Sequence, residues 1–441
     1  MALILSVHGL GKLGCTMMAC FASKGWDVIG IDVNESTVAK INRGESPIFE
    51  PGVDDLIKAN RSRITASTDP FAAAKASVSF IIVPTPSSKD GSFSLDFVEK
   101  AAADVAKLLR RDEDPYRVIV ITSTVLPGDM DKIRGIVEKV SGKKCSVDFG
   151  LVYNPDFIAL GRIVHDFLNP DMILIGESDE QAGDIVERIH RKLIDSVPAV
   201  HRMNWWNAEL AKIALNSFCV TKISFANMLA EVCEKMPGGD ASIVARAVGA
   251  DSRVGQKYFR PGLPVSGPCF PRDLRAFSQA ASRFNVKTPI ADTVDKQNEF
   301  YKTYRIPKLV TDTLQEMKTD RLAVLGLTYK EDTTLVEESA PVAAVKLLSR
   351  EGMKITVYDP AGMGEARKEL IGSPDVVFAD SIESCLRGNS VCFVGTPWSV
   401  FAKLKANDFL GDMAENPVII DAWGLYDFEK PRIRRIGKSW L

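Results

Sequence analysis

The stretch Ala2–Gly14 reads ALILSVHGLGKLG, an apolar run followed by three glycines with the spacing G-x-G-x-x-G. The run predicts a short strand, and the residues after the glycines predict a helix that ends near Gly25. In such a strand–turn–helix unit the glycines permit a tight turn, the close approach of a pyrophosphate and the packing of helix on strand. We therefore predict a dinucleotide site that uses Gly9, Gly11, Lys12, Leu13 and Gly14.

An acidic residue at the end of the second predicted strand indicates which dinucleotide is bound. Asp32 lies 18 residues after Gly14 and closes the strand Asp27–Asp32. A carboxylate here accepts hydrogen bonds from the adenosine ribose hydroxyls and repels the 2′-phosphate of NADP. The sequence therefore predicts NAD as the cofactor. The alternative is a glycine turn followed by an ordinary surface aspartate, since a glycine pattern alone is a weak signal.

Strand-like and helix-like segments alternate along much of the remaining chain. The segment Asn204–Lys235 differs, because it lacks proline and glycine and predicts one long helix, which Pro237-Gly238-Gly239 ends. The pattern predicts an α/β fold with two Rossmann-like doubly wound domains joined by a long central helix. The other predicted strands are Ser79–Val83, Arg117–Thr122, Arg321–Leu325, Lys354–Tyr358, Val391–Val394 and Val418–Asp421.

Composition excludes several classes of function. The 441 residues carry 55 basic and 57 acidic side chains, a net charge of −2, so nothing in the charge favours nucleic acid or an anionic membrane as a partner. The eight cysteines form no CxxC pair, and the four histidines are scattered, so we expect no metal site. The N-terminal apolar run is short and lacks the features of a signal peptide, which favours a cytoplasmic protein.

Eight short motifs together closely resemble the UDP-glucose/GDP-mannose dehydrogenase family, in order and spacing, from residue 1 to about residue 400. The resemblance implies a four-electron oxidation of the C6 alcohol of a nucleotide sugar to a carboxylate, with two NAD per turnover. The motifs are SPIFEPG (46–52), VPTP…DG (83–91), STV-x-PG (123–128), NPDF (154–157), DFLNPD (166–171), AELAKIALNSF (208–218), GPCFPRD (267–273) and GLTYK (326–330).

The resemblance also implies how the chain is divided and assembled. It predicts an NAD-binding domain at 1–200, a central helical dimerisation domain at 201–305 and a nucleotide-sugar-binding domain at 306–441. Arg253 matches a family arginine that reaches the sugar nucleotide of a neighbouring subunit. We therefore expect a homo-oligomer, at least a dimer, built on the long helix.

The motif GPCFPRD places Cys269 on a loop bounded by glycine and prolines, and the resemblance implies that this cysteine is the nucleophile. A thiolate that adds to an aldehyde gives a thiohemiacetal, from which a second hydride leaves to form a thioester that water cleaves. Arg272 and Lys212 are cations that favour the thiolate. Asp273, at the matching family position, can influence the thiol or activate the hydrolytic water, and it can also cap a helix that begins at Leu274. The alternative for Cys269 is an ordinary buried loop cysteine.

The remaining site residues follow from the resemblance. Lys212 and Asn216 are four residues apart on the long helix, so they share a face and can stabilise an oxyanion, although a solvated lysine is the ordinary alternative. Thr124 positions substrate and water, and Asp156, where the family usually has Glu, is a carboxylate base that acts through water. Further cofactor contacts are expected at Thr85, Pro86, Thr124 and Lys330, and substrate contacts at Phe157, Lys212, Asn216, Arg253, Tyr258, Gly267 and Cys269.

Four departures from the family pattern concern the sugar and the nucleotide: Leu160 and Glu337 replace a Glu and an Arg, Ser266-Gly267-Pro268 replaces Gly-Gly-Ser, and Asp421-Ala422-Trp423-Gly424 lacks a basic residue. We predict UDP-glucose as substrate, with GDP-mannose and a UDP-N-acetylhexosamine as alternatives. Two other classes stay open, a single-step hydroxyacid-type dehydrogenase and a non-catalytic NAD-binding regulator. The NADH formed per substrate separates the three classes, at two, one and none.

Overall fold

A computed structural model describes residues 3–88, 90–109 and 116–440 of the chain. Ala2, which the sequence placed in the first strand, lies outside the described residues. The chain divides into two compact units, Met1–Ala214 with Ser282–Phe284, and Leu215–Ala281 with Asn285–Leu441. The three-domain division at 1–200, 201–305 and 306–441 stays a prediction.

The described residues of the first unit form an eight-stranded sheet in the order β3-β2-β1-β4-β5-β6-β7-β8. Neighbouring strands are parallel except β6 and β7, which pair antiparallel. The crossover between β1 and β4 is the topological switch point at which doubly wound sheets bind ligands. The strands are β1 Ile4–His8, β2 Asp27–Ile31, β3 Ile64–Ser67, β4 Val78–Ile81, β5 Arg117–Ile121, β6 Phe149–Tyr153, β7 Met172–Glu177 and β8 Ala199–Met203.

Helices cover the faces of this sheet because its strands are apolar on both sides, as β6 shows with all of its residues buried. The core beside α1 includes Leu5, Val7 and Phe21, each at most 1% exposed. The helices are α1 Lys12–Ser23, α2 Glu35–Arg43, α3 Val53–Ala59, α4 Asp96–Lys107, α5 Asp129–Ser141, α6 Ile163–Leu168 and α7 Glu180–Leu193, with 3₁₀ turns at Arg61–Arg63 and Pro70–Lys75.

The predicted long helix is confirmed as α8, Trp205–Lys235, with 31 residues. It is long and apolar enough to pass a length-and-composition test for a membrane span, but the core helices of soluble proteins pass the same test. Its residues Glu209, Lys212 and Asn216 are polar and buried, and each is held by hydrogen bonds to protein groups. These contacts are typical of a helix packed inside a protein.

The described residues of the second unit form a six-stranded parallel sheet in the order β11-β10-β9-β12-β13-β14. Its strands are β9 Arg321–Leu325, β10 Lys354–Tyr358, β11 Val376–Phe378, β12 Val391–Val394, β13 Val418–Asp421 and β14 Arg432–Arg435. Its helices are α9 Ala241–Ala250, α10 Phe270–Ser282, α11 Pro289–Phe300, α12 Ile306–Glu316, α13 Ala340–Arg350, α14 Met363–Glu369, α15 Ile382–Leu386, α16 Ser399–Ala402 and α17 Ala406–Asp412, with a π-helix at Tyr301–Arg305.

The two sheets repeat one local construction, although the sequence shows no convincing repeat. In each, the central strand ends at a glycine with positive φ, Gly9 at 96° and Gly326 at 94°. Each glycine donates its N–H to the end of the neighbouring strand at 2.8 Å, Gly9 to Ile31 and Gly326 to Tyr358. The α/β fold with two doubly wound domains and a long central helix is therefore confirmed.

Candidate active site

Five predicted site residues of the first unit follow the carboxyl ends of five adjacent strands. In sheet order they are Asp32 after β2, Gly9 after β1, Thr85 after β4, Thr124 after β5 and Asp156 after β6. These strands are all parallel, so their carboxyl ends meet at one edge of the sheet. Tertiary structure therefore brings together residues that the sequence separates by more than a hundred positions.

The glycine loop fits a bound pyrophosphate. A Cβ on Gly9 would lie 2.4 Å from the carbonyl oxygen of Ile82, and one on Gly14 would lie 1.8 Å from that of Gly9, so packing requires both glycines. A Cβ on Gly11 would meet no atom within 4 Å, so the space above this residue is open. Gly11 caps α1 without a side-chain hydrogen bond, which leaves the N–H groups at the helix start directed at that space.

Lys12 and Leu13 are the first two residues of α1, so their backbone N–H groups belong to this anion-binding helix start. The Lys12 side chain is half-buried, and burial lowers its pKa, against the opposing effect of the nearby Glu50 carboxylate. Their contact with a phosphate group stays a prediction.

Asp32 orders the glycine loop and keeps part of its carboxylate accessible. Its Oδ2 accepts from Leu10 N at 2.6 Å and its Oδ1 from Asn34 N at 2.8 Å. Each carboxylate oxygen has a second lone pair, and Asp32 is only half-buried, so ribose hydroxyls can still donate to it.

The matching aspartate of the second sheet, Asp359, has different surroundings from Asp32. Asp359 is 1% exposed and accepts from the backbone N–H groups of Leu327 and Thr328 at 2.7 and 2.9 Å. It also accepts from Ala361 N, Gly362 N and Trp398 Nε1, at 2.9, 2.7 and 3.2 Å. Its oxygens are thus surrounded by protein donors, whereas those of Asp32 remain accessible.

The strand ends beside the glycine loop are fixed by side chains that the sequence analysis missed. Ser123 Oγ accepts from Val83 N and donates to Val83 O, both at 2.8 Å, which locks the segment before Thr85. Glu209 on α8 is fully buried and accepts from Gly128 N at 2.9 Å and Met130 N at 2.8 Å, so it caps α5 after Thr124. The signal for Glu209 was its spacing of three residues from Lys212 on one helical face. Thr124 is half-buried, Thr85 is buried and Pro86 is exposed.

Asp156 and Lys212 are neighbours within the first unit. Lys212 Nζ donates to the backbone carbonyl of Asp156 and lies 4.5 Å from the centre of the Phe157 ring. Burial raises the pKa of the Asp156 carboxyl to about 7, against the opposing effect of the Lys212 charge. Asp156 Oδ2 is buried without a hydrogen-bond partner. A carboxyl in this state can exchange a proton near neutral pH, which suits the predicted base.

The loop after Asp156 explains one departure from the family. Leu160 packs on the apolar cluster of the first unit, so no carboxylate occupies its position. The buried Glu50, in the motif SPIFEPG, instead accepts from Gly161 N and Ile163 N, both at 2.9 Å. Sequence analysis assigned no role to Glu50, whereas its burial and its two backbone hydrogen bonds show that it holds this loop.

Cys269, in the second unit, differs from the other cysteines, all of which lie in the described part of the chain. It is exposed, six are buried and Cys145 is half-buried. Burial raises the pKa of the Cys15, Cys20 and Cys385 thiols to about 12, which makes them inert. The alternative of a buried loop cysteine is therefore wrong for Cys269.

The helix after Cys269 begins earlier than the sequence indicated. α10 starts at Phe270, and Asp273 N donates to the carbonyl of Cys269 at 2.8 Å. The prediction that Asp273 caps a helix starting at Leu274 is therefore wrong, because proline is tolerated in the first turn of a helix and Pro271 does not delay its start. Cys269 thus lies at a helix N-terminus, where the helix dipole favours an anion.

Asp273 is held in the first turn of α10 by two donors. Its carboxylate is 1% exposed and accepts from Asn216 Nδ2 at 2.7 Å. Arg272 donates from Nε and from a terminal nitrogen, at 3.0 and 2.9 Å. Arg272 is therefore paired with Asp273, and its effect on the Cys269 thiolate stays a prediction.

The other predicted substrate residues of the second unit have distinct surroundings. Gly267 has φ 87°, and a Cβ there would lie 2.5 Å from the Tyr329 ring, so glycine is required before the nucleophile. Tyr258 is 47% exposed and meets Phe270 edge-on with centroids 5.6 Å apart. Arg253 is highly exposed and pairs with Asp251 at 2.7 Å. Lys330, which is expected to contact the cofactor, is half-buried.

No group of three or more metal-binding side chains occurs within residues 3–88, 90–109 and 116–440. His8 is buried and His190 is half-buried, and desolvation of the ring lowers the pKa of each imidazole to about 4. Both therefore stay neutral at physiological pH.

Comparison with known proteins gives matches along most of the chain. Three domains of the UDP-glucose/GDP-mannose dehydrogenase family match: the NAD binding domain at residues 4–194, the central domain at 206–300 and the UDP binding domain at 323–428. A UDP-glucose 6-dehydrogenase of Haloferax volcanii is 33% identical over 94% of this chain and 95% of its own.

Two further relatives show the breadth of the likeness. A GDP-mannose 6-dehydrogenase of Pseudomonas savastanoi pv. phaseolicola is also 33% identical, over 80% of each chain. The structure of a UDP-glucose dehydrogenase from the archaeon Pyrobaculum islandicum matches with a TM-score of 0.86 at 30% identity, covering 100% of this chain and 98% of that one. The likeness thus extends well beyond the dinucleotide fold.

Proposed function

The chain belongs to the UDP-glucose/GDP-mannose dehydrogenase family and is an NAD-dependent nucleotide-sugar 6-dehydrogenase, and we propose that its substrate is UDP-glucose, which it oxidises to UDP-glucuronate. The observation that carries the covalent mechanism is the exposed Cys269 at the start of α10. An alcohol becomes an acid only after the aldehyde has been hydrated or trapped, and a thiolate is the nucleophile that traps it.

The proposed reaction balances over two hydride transfers. The C6 alcohol loses a proton and a hydride to give the aldehyde. The Cys269 sulfur then bonds to the aldehyde carbon as a thiohemiacetal, which loses a second hydride and a proton to give a thioester. Water adds to the thioester carbon, the carbon–sulfur bond breaks, and the acid and the thiol are released. NAD, when bound, supplies the hydride acceptor in both oxidations.

We assign the charged and polar residues by the charge that each step develops. Lys212 and Asn216 donate to the oxyanion of the alkoxide and of the tetrahedral species. Asp156, whose pKa burial raises to about 7, accepts protons through water, and Thr124 orients that water and the substrate. Asp273 is a positioning residue, since its carboxylate is already occupied by Asn216 and Arg272.

The cofactor contacts follow from the open glycine loop. The pyrophosphate would lie against Gly11 and the N–H groups of Lys12 and Leu13, and the adenosine ribose against Asp32. Thr85 and Pro86 would lie beside the dinucleotide at the end of β4. Lys330 is assigned a contact with the cofactor because it matches the family motif GLTYK.

Two considerations support UDP-glucose over other sugars. The relative of Haloferax volcanii, which matches almost the full length, is a UDP-glucose 6-dehydrogenase. The branch that oxidises N-acetylated sugars typically has a histidine beside the nucleophile, where this chain has Pro268 and Phe270. GDP-mannose is the second candidate, because a GDP-mannose 6-dehydrogenase is equally identical over a shorter length and Leu160 removes a carboxylate expected for UDP-glucose.

We propose a homo-oligomer built on α8. The helix exposes apolar side chains at intervals of seven residues, namely Phe218, Phe225 and Val232, which are 62%, 49% and 51% exposed. Such a stripe is typical of a face that another helix covers. The exposed Arg253 is proposed to reach the sugar nucleotide of the partner. We also propose that the enzyme is cytoplasmic, where nucleotide sugars and NAD are available.

The decisive experiment counts NADH per sugar across a panel of UDP-glucose, UDP-galactose, GDP-mannose, UDP-N-acetylglucosamine and UDP-N-acetylmannosamine. UDP-glucose should give two NADH per molecule and the highest kcat/KM. Cys269→Ser should end sustained turnover while substrate binding persists, and Cys145→Ser, at the half-buried thiol, should leave turnover intact. A tenfold higher kcat/KM for another sugar would reject UDP-glucose, and full activity of Cys269→Ser would reject the covalent step.

A further inference from the structure

The backbone that leads to Cys269 is held by a buried amide that the mechanism does not use. We call residues 262–269 the nucleophile loop. Asn298, on α11, is 5% exposed. Its Oδ1 accepts from Val265 N at 2.7 Å, and its Nδ2 donates to Val265 O at 3.0 Å. One side chain thus pairs with both backbone groups of a single loop residue, as a neighbouring strand would.

A second buried asparagine makes a similar pair at the start of the nucleophile loop. Asn227, on α8, is 3% exposed. Its Oδ1 accepts from Gly262 N at 2.9 Å, and its Nδ2 donates to Leu263 O at 3.3 Å. Tyr301 Oη also donates to the backbone carbonyl of Asn227 at 3.1 Å. Two helices therefore each contribute one amide to the same short loop.

Ser266 adds a third tie at the position where the family usually has glycine. Its Oγ accepts from Ala340 N, at the start of α13, at 3.1 Å, and lies 3.3 Å from the carbonyl oxygen of Pro264, to which it donates. A serine restricts the backbone more than a glycine does, and the prolines at 264 and 268 restrict it further. The turn before the nucleophile is therefore more restricted in this chain than a turn with glycine at position 266.

Hydrogen bonds also hold the backbone on the C-terminal side of Cys269. The Cys269 carbonyl accepts from Asp273 N, and the Asp273 carboxylate accepts from Asn216 of α8. Asn216 and Asn227 are eleven residues apart, close to three helical turns, so α8 presents both amides on one face. The nucleophile thus lies between two stretches of backbone that the same helix face holds.

Apolar packing alone would hold the nucleophile loop less specifically. Val265 packs with Leu274 and Val294 in a small apolar cluster. Burying an amide side chain is unfavourable unless its donors and acceptor are satisfied, so an apolar residue is the simpler way to fill such space. Paired amides cost more to bury but fix the register of the backbone, because each hydrogen bond has a preferred distance and angle.

We infer that Asn298, Asn227 and Ser266 are positioning residues that set the backbone of the nucleophile loop and thereby aim the Cys269 thiol at the aldehyde. The inference rests on the proposed role of Cys269. A misplaced thiol leaves the first oxidation intact and slows capture of the aldehyde, so aldehyde escapes. Displacement of a reacting group by about 1 Å can lower a rate by about a hundredfold.

The test compares Asn298→Ala and Ser266→Ala with Asn42→Ala. Asn42 is the matched control, because it makes the same paired contact with Ala66, both bonds at 2.9 Å, in the first unit. Each variant of the full chain is assayed with UDP-glucose for kcat, for KM of NAD and for NADH per sugar consumed. The alkylation rate of Cys269 with iodoacetamide is followed by mass spectrometry.

Asn298→Ala should lower kcat about tenfold or more and give fewer than two NADH per sugar, with KM for NAD within about twofold of the wild type. Ser266→Ala should also lower kcat and the number of NADH per sugar, but by less. If Asn298→Ala does not fold, the result for Ser266→Ala tests the inference. Asn42→Ala should keep two NADH per sugar.

If folded Asn298→Ala and Ser266→Ala both keep two NADH per sugar and the wild-type kcat and alkylation rate, the inference is wrong. Failure of the proposed function has a different signature, since Cys269→Ala would then still produce two NADH per sugar.

Discussion

Asn216 Nδ2 lies 2.7 Å from Asp273 Oδ2, and both side chains are buried. The bond joins the long helix α8 to the first turn of α10, one turn after the nucleophile. A bond between an amide and an ionised carboxylate contributes about 1.5–3 kcal/mol, more than a neutral pair, because the buried charge needs a donor. The two motifs AELAKIALNSF and GPCFPRD are therefore linked physically as well as by resemblance.

Asn216→Asp should make stability depend on pH. It would place two carboxylates within hydrogen-bond distance, so one must keep a proton at a pKa above the usual range. A raised pKa in the folded state stabilises at low pH, and this contribution is lost as pH rises. The Tm deficit of the variant against the wild type should therefore be small at about pH 5 and larger at about pH 8. The exchange Asn216→Asp with Asp273→Asn should recover part of the loss, and an unchanged Tm at both pH values would contradict the buried pair.

Asp156 should destabilise the fold as pH rises. Burial raises the pKa of its carboxyl from its ordinary value of 3.8 to about 7, so the folded protein holds a proton that the unfolded chain releases in that interval. The stabilising contribution of the protonated form is present below pH 3.8 and is lost as pH rises to about 7. The Tm advantage of Asp156→Asn over the wild type should grow across that window and then level off, as measured by thermal denaturation at a series of pH values. A difference that stays constant would show that the carboxyl is not desolvated.

The same group should appear in the kinetics. If ionised Asp156 is the base, kcat/KM of the wild type rises with pH through a value near 7. Asp156→Asn should have a lower kcat/KM at every pH, and its kcat/KM should not rise with pH near 7. A wild-type profile that is flat between about pH 6 and pH 8 would exclude Asp156 as the base.

Asp32→Ser should change the choice of cofactor. Removing the carboxylate removes the repulsion of a 2′-phosphate, so the preference for NAD over NADP should fall by about tenfold or more. KM for NAD should also rise, because Leu10 N loses its partner. The matched control is Asp359→Ser, which breaks the equivalent bond to Leu327 N in the second unit. That variant should lose stability but keep the preference for NAD, and an equal relaxation in both variants would show that Asp32 does not face the ribose.

Charge on the exposed stripe of α8 should prevent assembly. Phe218→Glu and Phe225→Glu place a carboxylate where an apolar partner is expected, and burying that charge is unfavourable. Light scattering should report a smaller species with reduced activity. The control is Val197→Glu, at an exposed position in the first unit. An active monomer of the wild type would overturn the proposal.

The sequence by itself determined the α/β class, the glycine loop and the long helix, and it selected the candidate site residues. The glycine loop, Asp32, the long helix and four of the six strands of the second sheet follow from local patterns, because turn chemistry and hydrophobic periodicity act over a few residues. The start of α10 was predicted incorrectly, at Leu274 instead of Phe270. A proline in the first turn of a helix resembles a proline before one, and only the hydrogen bond from Asp273 N to Cys269 O decides between them.

Only the tertiary structure decided which residues support the chemistry. Glu50, Glu209, Asn227 and Asn298 are polar side chains whose partners lie 33 to 113 residues away in the chain, so local patterns do not identify what they bind. Folding also gives two similar aspartates different surroundings. Asp32 remains accessible, whereas Asp359 is enclosed among protein donors. The physical reason is that burial and hydrogen-bond partnership depend on long-range packing, and these two properties determine whether a polar group binds a ligand or supports the fold.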